Sequence, residues 1–321
     1  MKTEKNIFYP IDLSVLRIDE VNPFNFYLKT GPANNEYVLY SKRGSRFTEE
    51  LRLELISNGV KIIYIPDTDH VAYLEYVEWN LQNIVNDKTI SAEEKSKIVY
   101  NSSKHLFTKL FKEPRIETIL RAKKTINYLV DIIVSDQKTT EYLIRITEHD
   151  YATYTHSLNV GILSLAFAKS ILKGVSKNEF YNLGSGFFLH DIGKAIIPLN
   201  ILNKNGPLGF NDWMIMKTHP QKGYKMLKEA GEISEETLAI VLQHHERTDG
   251  SGYPKGLKSN EISVFRKICS IVDSFDAMTT NRYYQPALSS FEAMNVIKGK
   301  MQDKKFDSDI FKQFVTFFSN K

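Results

Sequence analysis

The sequence predicts a mainly α-helical protein with a small α+β domain at its N-terminus, linking helices and an all-helical C-terminal domain. Short β-like runs are confined to the first 68 residues. From Asp69 onward Pro and Gly become rare, and apolar residues recur at the three- and four-residue spacing of helices. After Thr147 the helical segments are interrupted by turns such as NGPLG and DGSGYPKG. We therefore divide the chain into residues 1–68, 69–147 and 148–321.

The N-terminal α+β prediction depends on three runs, FNFYLK, YVLYS and VKIIYIP, which alternate as strands do. Between the second and third lies TEELRLELISNG, which reads as a helix. Thr48 would cap this helix, Leu51, Leu55 and Ile56 would form its apolar face, and Gly59 would end it. The segment shows neither a receiver pattern nor a nucleotide-binding fingerprint, so its regulatory signal stays open.

The linking helices are predicted from EYVEWNLQNIV, KIVYNSSKHLFTKLF and IETILRAKKTINYLVDIIV. Long helices of this kind transmit signals or form the seam of a homodimer, and plain packing against the next domain explains them equally well.

Composition excludes several classes of protein. With 321 residues, 42% of them hydrophobic and 25% charged, the chain has the composition of a globular protein of two or three compact units. No apolar run of membrane-spanning length and no signal peptide are evident, so we expect a cytoplasmic protein without a membrane partner. The net charge of +4, without a basic cluster, argues against DNA as a partner. Cys269 is the sole cysteine, so any metal must be bound through nitrogen and oxygen.

Histidines and aspartates recur along the C-terminal half, one set on each successive helical segment. The set is His156, His190 with Asp191, His219, His244 with His245, and Asp273. Neutral imidazole and carboxylate are the ligands that divalent first-row metals accept when sulfur is absent. Any one of these histidines alone would more often be a core or capping residue. Together they predict a metal site, because a buried ionised aspartate without a partner is costly.

The doublets HD and HH suggest the form of that site. Adjacent residues on a helix point about 100° apart, so a doublet cannot face one distant partner. It can straddle a crevice that holds two neighbouring ions bridged by an aspartate.

The same residues carry a resemblance to a known family. His156, HDIGK at 190–194, His219, HHERTDGSGYP at 244–254 and VDSFDAMT at 272–279 resemble, in this order, the HD-GYP family, a branch of the HD metal-dependent phosphohydrolases. The similarity covers residues 149–300. It implies an all-helical HD-GYP domain, a centre of iron, manganese or similar ions, and hydrolysis of cyclic di-GMP to pGpG or GMP.

The resemblance also implies a role for individual residues. One ion would be held by His156, His190, Asp191 and Asp273, and a second by Asp191, His219, His244 and His245. Asp191 and Lys194 would be catalytic, with a hydroxide between the ions as the nucleophile and no separate general base. Lys194 and Arg282 would contact the substrate phosphate. The group that protonates the leaving oxygen stays open.

Three positions qualify the expected substrate and metals. Ala152 stands where some family members have a glutamate for a third ion, so the resemblance implies two ions and favours pGpG as the main product. Gln285 stands where the resembling family usually has a lysine or an arginine. Its amide donates a hydrogen bond but carries no charge, so we expect weaker binding of the phosphate. Tyr253 would stack on or hydrogen-bond to guanine, or its loop would instead pack or contact a regulatory protein.

Three functions follow as hypotheses. The first is a cyclic di-GMP phosphodiesterase. Because Gln285 lacks charge, a sensor that binds the dinucleotide without cleaving it is the second. The third is hydrolysis of another cyclic dinucleotide, since no residue in the sequence clearly reads the base.

Overall fold

The computed structural model describes residues 7–30, 36–147, 153–280 and 286–319. The chain forms two compact units, an N-terminal unit of Met1–Ser102 and a C-terminal unit of Ser103–Lys321. The boundary between them falls within a helix that spans Ala92–Lys112. The division at residues 68/69 and 147/148 that the sequence predicted stays a prediction.

The N-terminal unit contains a four-stranded antiparallel sheet in the order β1-β4-β2-β3. Its strands are β1 (Phe8–Asp12), β2 (Phe26–Thr30), β3 (Glu36–Ser41) and β4 (Ile62–Pro66). Its helices are α1 (Glu49–Ser57), α2 (His70–Trp79), α3 (Leu81–Asn86) and the beginning of α4 (Ala92–Lys112). The predicted α+β class is confirmed, and the three predicted runs form β2, β3 and β4.

Strand β1 and one residue of α1 depart from the sequence interpretation. Pro10 lies within β1, and for that reason the sequence interpretation did not identify this strand. The proline is tolerated because β1 is an edge strand of the sheet. Thr48 caps α1 as predicted, with its hydroxyl oxygen accepting from the amide of Leu51 at 3.3 Å. Leu55 is buried, but Ile56 is 49% exposed, so its predicted place on the apolar face is wrong.

The regular elements described in the C-terminal unit are helices, which confirms the predicted all-α class there. After α4 they are α5 (Ile116–Ser135), α6 (Gln137–Ile146), α7 (Thr153–Ile171), α8 (Lys177–Leu189), α9 (Leu199–Leu202), α10 (Phe210–Met216), α11 (His219–Ala230), α12 (Glu235–Gln243), α13 (Val264–Thr279), α14 (Ser290–Gln302) and α15 (Ser308–Ser319). No helix within the described ranges is both long and apolar enough to cross a lipid bilayer.

Helix α7 forms the centre of the C-terminal unit. Residues 155–168 are all buried, as expected of a helix that is surrounded by others rather than lying at the surface. It packs against α5, α8 and α13, among others. Gly161 lets α8 approach closely, because a Cβ atom there would lie 2.1 Å from the ring of Phe188. The first turn of α7 therefore carries His156 into the core.

Candidate metal centre

The ends and interiors of five helical segments deliver the predicted ligands to one point. His156 lies on the first turn of α7, His190 and Asp191 directly follow α8, His219 begins α11, His244 and His245 directly follow α12, and Asp273 lies within α13. The side chains of His245 and Asp273 are 16% and 9% exposed, whereas the other five are at most 1% exposed. A buried set of imidazoles and carboxylates requires charge compensation.

Two groups of candidate ligand atoms share Asp191. One comprises Asp191, His219, His244 and His245, the other His156, His190 and Asp191, and within each group the ligand atoms lie within 4.8 Å of one another. Asp273 adjoins both groups, with Oδ1 3.1 Å from Nε2 of His156 and Oδ2 3.7 Å from Nδ1 of His245. The structure thus brings together all seven side chains that the sequence singled out, with Asp191 common to both groups.

Three of the histidines are oriented by the carbonyl three residues earlier. The distances from Nδ1 to the carbonyl oxygen are 2.9 Å for His190 and Phe187, 2.8 Å for His219 and Met216, and 2.9 Å for His244 and Val241. A carbonyl only accepts, so each Nδ1 must carry the proton that it donates. The lone pair is then on Nε2, which faces the centre, as in metal-binding histidines.

This tautomer assignment creates an electrostatic conflict that a cation would resolve. Nε2 of His219 lies 3.2 Å from Nε2 of His244, so two lone pairs face each other. Protonation would relieve the repulsion, but burial lowers the pKa of His219. Nε2 of His190 and Oδ1 of Asp191 are buried without a hydrogen-bond partner among the described residues, and burial lowers the pKa of His190 to about 3. The donor set therefore suits divalent metal ions.

His156 is oriented by a carboxylate instead. Its Nδ1 lies 2.7 Å from Oδ2 of Asp276, while its Nε2 faces Asp273. Burial alone would lower the pKa of His156, but the hydrogen bonds to Asp273 and Asp276 outweigh it and raise the pKa to about 10. Sequence reasoning missed Asp276, although its position three residues after Asp273 places both carboxylates on one helix face.

Lys194 and Gly193 lie on the short turn Ile192–Ile196 that follows the HD doublet. The ammonium group of Lys194 contacts Oδ2 of Asp191. Burial would raise the pKa of Asp191, but the charge of Lys194 helps to hold it well below its ordinary value. Gly193 lies directly on the first turn of α11, since a Cβ atom there would come within 1.9 Å of the carbonyl oxygen of His219. The lack of a side chain at Gly193 therefore allows the turn that carries Lys194 to pack directly against α11, the helix that begins with His219.

The DGSGYP loop covers the outer side of His245. The ring of Tyr253 stacks on the imidazole of His245 with centroids 4.8 Å apart and planes at 30°. Gly252 allows the loop to pack against the backbone that follows His245, because a Cβ atom at Gly252 would lie 2.3 Å from the amide nitrogen of Arg247. The sequence predicted that the loop shapes the mouth of the site, which stays a prediction, and the structure places Tyr253 against the candidate ligand His245.

Glu246 holds this loop in place, a role that sequence reasoning missed. The residue is 2% exposed. Its carboxylate accepts hydrogen bonds from the backbone amides of Lys255 at 2.7 Å and Leu257 at 2.9 Å. The only available signal was an acidic residue immediately after a histidine doublet, which by itself reads as a further ligand or a solvated charge.

Arg282, Gln285 and Ala152 lie outside the described residues. The phosphate-binding role expected for Arg282, the weakened binding expected from Gln285 and the two-ion expectation from Ala152 stay predictions.

Comparisons with known proteins agree with this geometry. Residues 170–310 match the family model described as an HD domain. Over 171 residues the chain is 34% identical to a cyclic di-GMP phosphodiesterase of Pseudomonas aeruginosa, covering 53% of this chain and 40% of that protein. It is 38% identical to a cyclic di-GMP phosphodiesterase of Thermotoga maritima, covering 47% and 42% of the two chains. A 3'3'-cGAMP-specific phosphodiesterase of Vibrio cholerae is 32% identical, with coverage of 50% and 36%.

The fold is also that of a solved structure. Bd1817, described as an HDG"Y"P protein from Bdellovibrio bacteriovorus, superimposes with a TM-score of 0.65, covering 98% of this chain and all of that one at 22% identity. The chain spans about two fifths of the length of the curated relatives that it matches first. The predicted resemblance is confirmed, since residues 170–310 match the HD domain model and the fold is that of a solved HDG"Y"P protein.

Proposed function

We propose that this protein is a metal-dependent phosphodiesterase that hydrolyses cyclic di-GMP, with pGpG as the main product. The observation that carries the proposal is the position of Asp191, shared by two buried groups of ligand atoms. A carboxylate so placed suits a pair of ions a few ångströms apart, the arrangement used for in-line displacement at phosphorus. We propose two ions, iron or manganese, because the donors are imidazole and carboxylate.

The protein's own residues would bind, orient and compensate charge. One ion would be held by His156, His190, Asp191 and Asp273, and the other by Asp191, His219, His244 and His245. When bound, the ions would activate water for attack and polarise the phosphodiester. Lys194, beside Asp191 and 15% exposed, would offset negative charge on the phosphoryl oxygens as the bond breaks. We propose that Arg282 adds a planar, bidentate contact to the same group.

The printed names of the relatives support the substrate class. Several are cyclic di-GMP phosphodiesterases, and two from Vibrio cholerae are specific for 3'3'-cGAMP. Both substrates are cyclic dinucleotides that contain guanine, so hydrolysis of a related cyclic dinucleotide is the nearest alternative.

The experiment combines metal analysis with turnover. Protein loaded anaerobically with Fe(II) or Mn(II) should contain two ions per chain by mass spectrometry and should convert cyclic di-GMP to pGpG. The double variant His190→Ala with Asp191→Ala should lose bound metal and more than a hundredfold in rate. His70→Ala, a histidine substitution in the N-terminal unit, is the matched control. Absence of turnover with every first-row metal would refute the proposal.

Binding without cleavage is the second candidate, favoured by the uncharged Gln285 at a position where the resembling family is basic. Stoichiometric binding of cyclic di-GMP with the ligand recovered intact would establish this sensor function instead.

A further inference from the structure

The more exposed ligands mark the mouth of the centre. His245 and Asp273 are the least buried of the seven candidate ligands, with side chains 16% and 9% exposed, and Lys194, which contacts Asp191, is 15% exposed. The stacked ring of Tyr253 therefore forms a wall of the opening rather than part of the buried core. A substrate whose phosphate reaches the ions must place the rest of its body near this wall.

Lys217 and Trp213 extend this wall outward. Lys217 follows the last residue of α10, and its amide donates to the carbonyl oxygen of Trp213 at 2.9 Å. Its ammonium nitrogen lies 5.4 Å from the centroid of the Tyr253 ring and 5.7 Å from that of the Trp213 ring. Trp213 is 43% exposed. From the ions outward, the wall thus consists of His245, Tyr253, Lys217 and Trp213.

Such a row has the chemistry of a purine site. Aromatic side chains bind nucleobases by stacking, which tolerates any base. An ammonium group only donates hydrogen bonds, so it prefers the paired O6 and N7 acceptors of guanine to the N6 amino donor and N7 acceptor of adenine. Among the described residues, Lys217 forms no ion pair with a carboxylate, so its charge is available to a ligand.

We propose that Lys217, flanked by Tyr253 and Trp213, selects a guanine base of the substrate, with the indole of Trp213 as a stacking surface. The inference rests on the proposed hydrolysis of a cyclic dinucleotide and adds its base selectivity. It assigns a specificity-determining role to two residues that sequence reasoning did not single out. The competing explanation is structural, because a cation between two rings also fastens the loop to α10.

The test compares three substrates that differ in their bases. Cyclic di-GMP carries two guanines, cyclic di-AMP two adenines, and bis(p-nitrophenyl) phosphate none. We expect Lys217→Met to reduce kcat/KM for cyclic di-GMP relative to each of the other two by about tenfold, the lower range for loss of a base contact. Lys217→Arg should retain guanine preference, because arginine donates to the same acceptors. Trp213→Leu should lower kcat/KM for both dinucleotides relative to kcat/KM for bis(p-nitrophenyl) phosphate.

Lys228→Met is the matched control. Lys228 is an exposed lysine on α11 whose ammonium lies 5.6 Å from the centroid of the Tyr224 ring, so it forms the same kind of contact away from the mouth. This substitution should leave the ratios of kcat/KM among the three substrates at their wild-type values.

The outcomes separate this inference from the proposed function. If Lys217→Met lowers activity on all three substrates equally, or on none, Lys217 is structural or irrelevant and the inference is wrong. If the wild-type protein hydrolyses none of them, the proposed function fails. Equilibrium binding of the two dinucleotides to the Mn(II)-loaded protein then decides the inference. A guanine preference that Lys217→Met abolishes supports it, and equal or absent binding overturns it.

Discussion

At the scale of single residues, the centre depends on which ring nitrogen of each histidine holds its proton. Three histidines donate through Nδ1 to backbone carbonyls, and His156 donates to the carboxylate of Asp276. A carboxylate partner makes an imidazole more basic than a carbonyl partner does, and therefore a stronger metal ligand. Asp276 is thus a positioning residue for one half of the centre.

Replacement of Asp276 by asparagine tests this role. The amide oxygen still accepts from Nδ1 of His156, but its charge is gone, so we expect the affinity for Mn(II) to fall by about tenfold to a hundredfold. Titration calorimetry would measure the affinity, with the exposed Asp309→Asn as the control. Unchanged affinity together with an unchanged number of bound ions would show that Asp276 has no part in orienting His156.

The residue types of the centre were predictable, and their supporting partners were not. Imidazole and carboxylate are groups that bind metal ions when sulfur is absent, and their recurrence on successive helical segments allowed seven side chains to be selected before the fold was known. Asp276 and Glu246 act on those ligands or on the loop over them through hydrogen bonds whose partners lie far along the chain or depend on the course of a loop. A local sequence pattern does not show which residues distant along the chain will form hydrogen bonds with each other.

At the scale of elements, helix ends explain why the ligands occur as doublets. The last carbonyls of a helix have no intrahelical partner, and those of α8 and α12 accept from His190 and His244 directly after the helix ends. The chain then turns, so the second member of each doublet approaches the centre from another direction. The sequence interpretation expected the doublets to straddle two ions, which stays a prediction, and it could not locate the helix ends to the residue.

The DGSGYP loop should depend on one carboxylate. Glu246→Ala removes the acceptor of two backbone hydrogen bonds and leaves both amides without that partner, so the loop should lose its fixed position over His245. We expect KM for cyclic di-GMP to rise by about tenfold while the protein keeps both ions. Steady-state kinetics and metal analysis on the same preparation would measure this.

Glu246→Gln separates positioning from general damage. The glutamine oxygen accepts one of the two hydrogen bonds, so KM should lie between those of the wild type and the alanine variant. If both variants instead lose metal in proportion to activity, Glu246 supports the ligands rather than the loop.

At the scale of the whole molecule, the sequence predicted the class of each part better than its individual short strands. Apolar spacing over many residues identified the helical C-terminal unit, because periodicity accumulates along a long segment. Pro10 concealed a five-residue strand, since a short edge strand provides too few positions to outweigh one proline. The compact N-terminal unit extends to Ser102, so it includes residues whose spacing indicated linking helices.

Metal should stabilise one of the two units selectively. All seven candidate ligands belong to Ser103–Lys321, and without ions the facing lone pairs of His219 and His244 oppose folding of that unit. An ion at about a thousand times its dissociation constant adds about 4 kcal/mol to stability, which for a domain of this size raises Tm by about 10 °C.

Calorimetry of the full chain with Mn(II) and then with excess chelator should show that shift in the transition of the C-terminal unit. The transition of the N-terminal unit should not move, and the double variant His190→Ala with Asp191→Ala should show no shift. An equal shift in the double variant would mean that the ions act elsewhere on the protein.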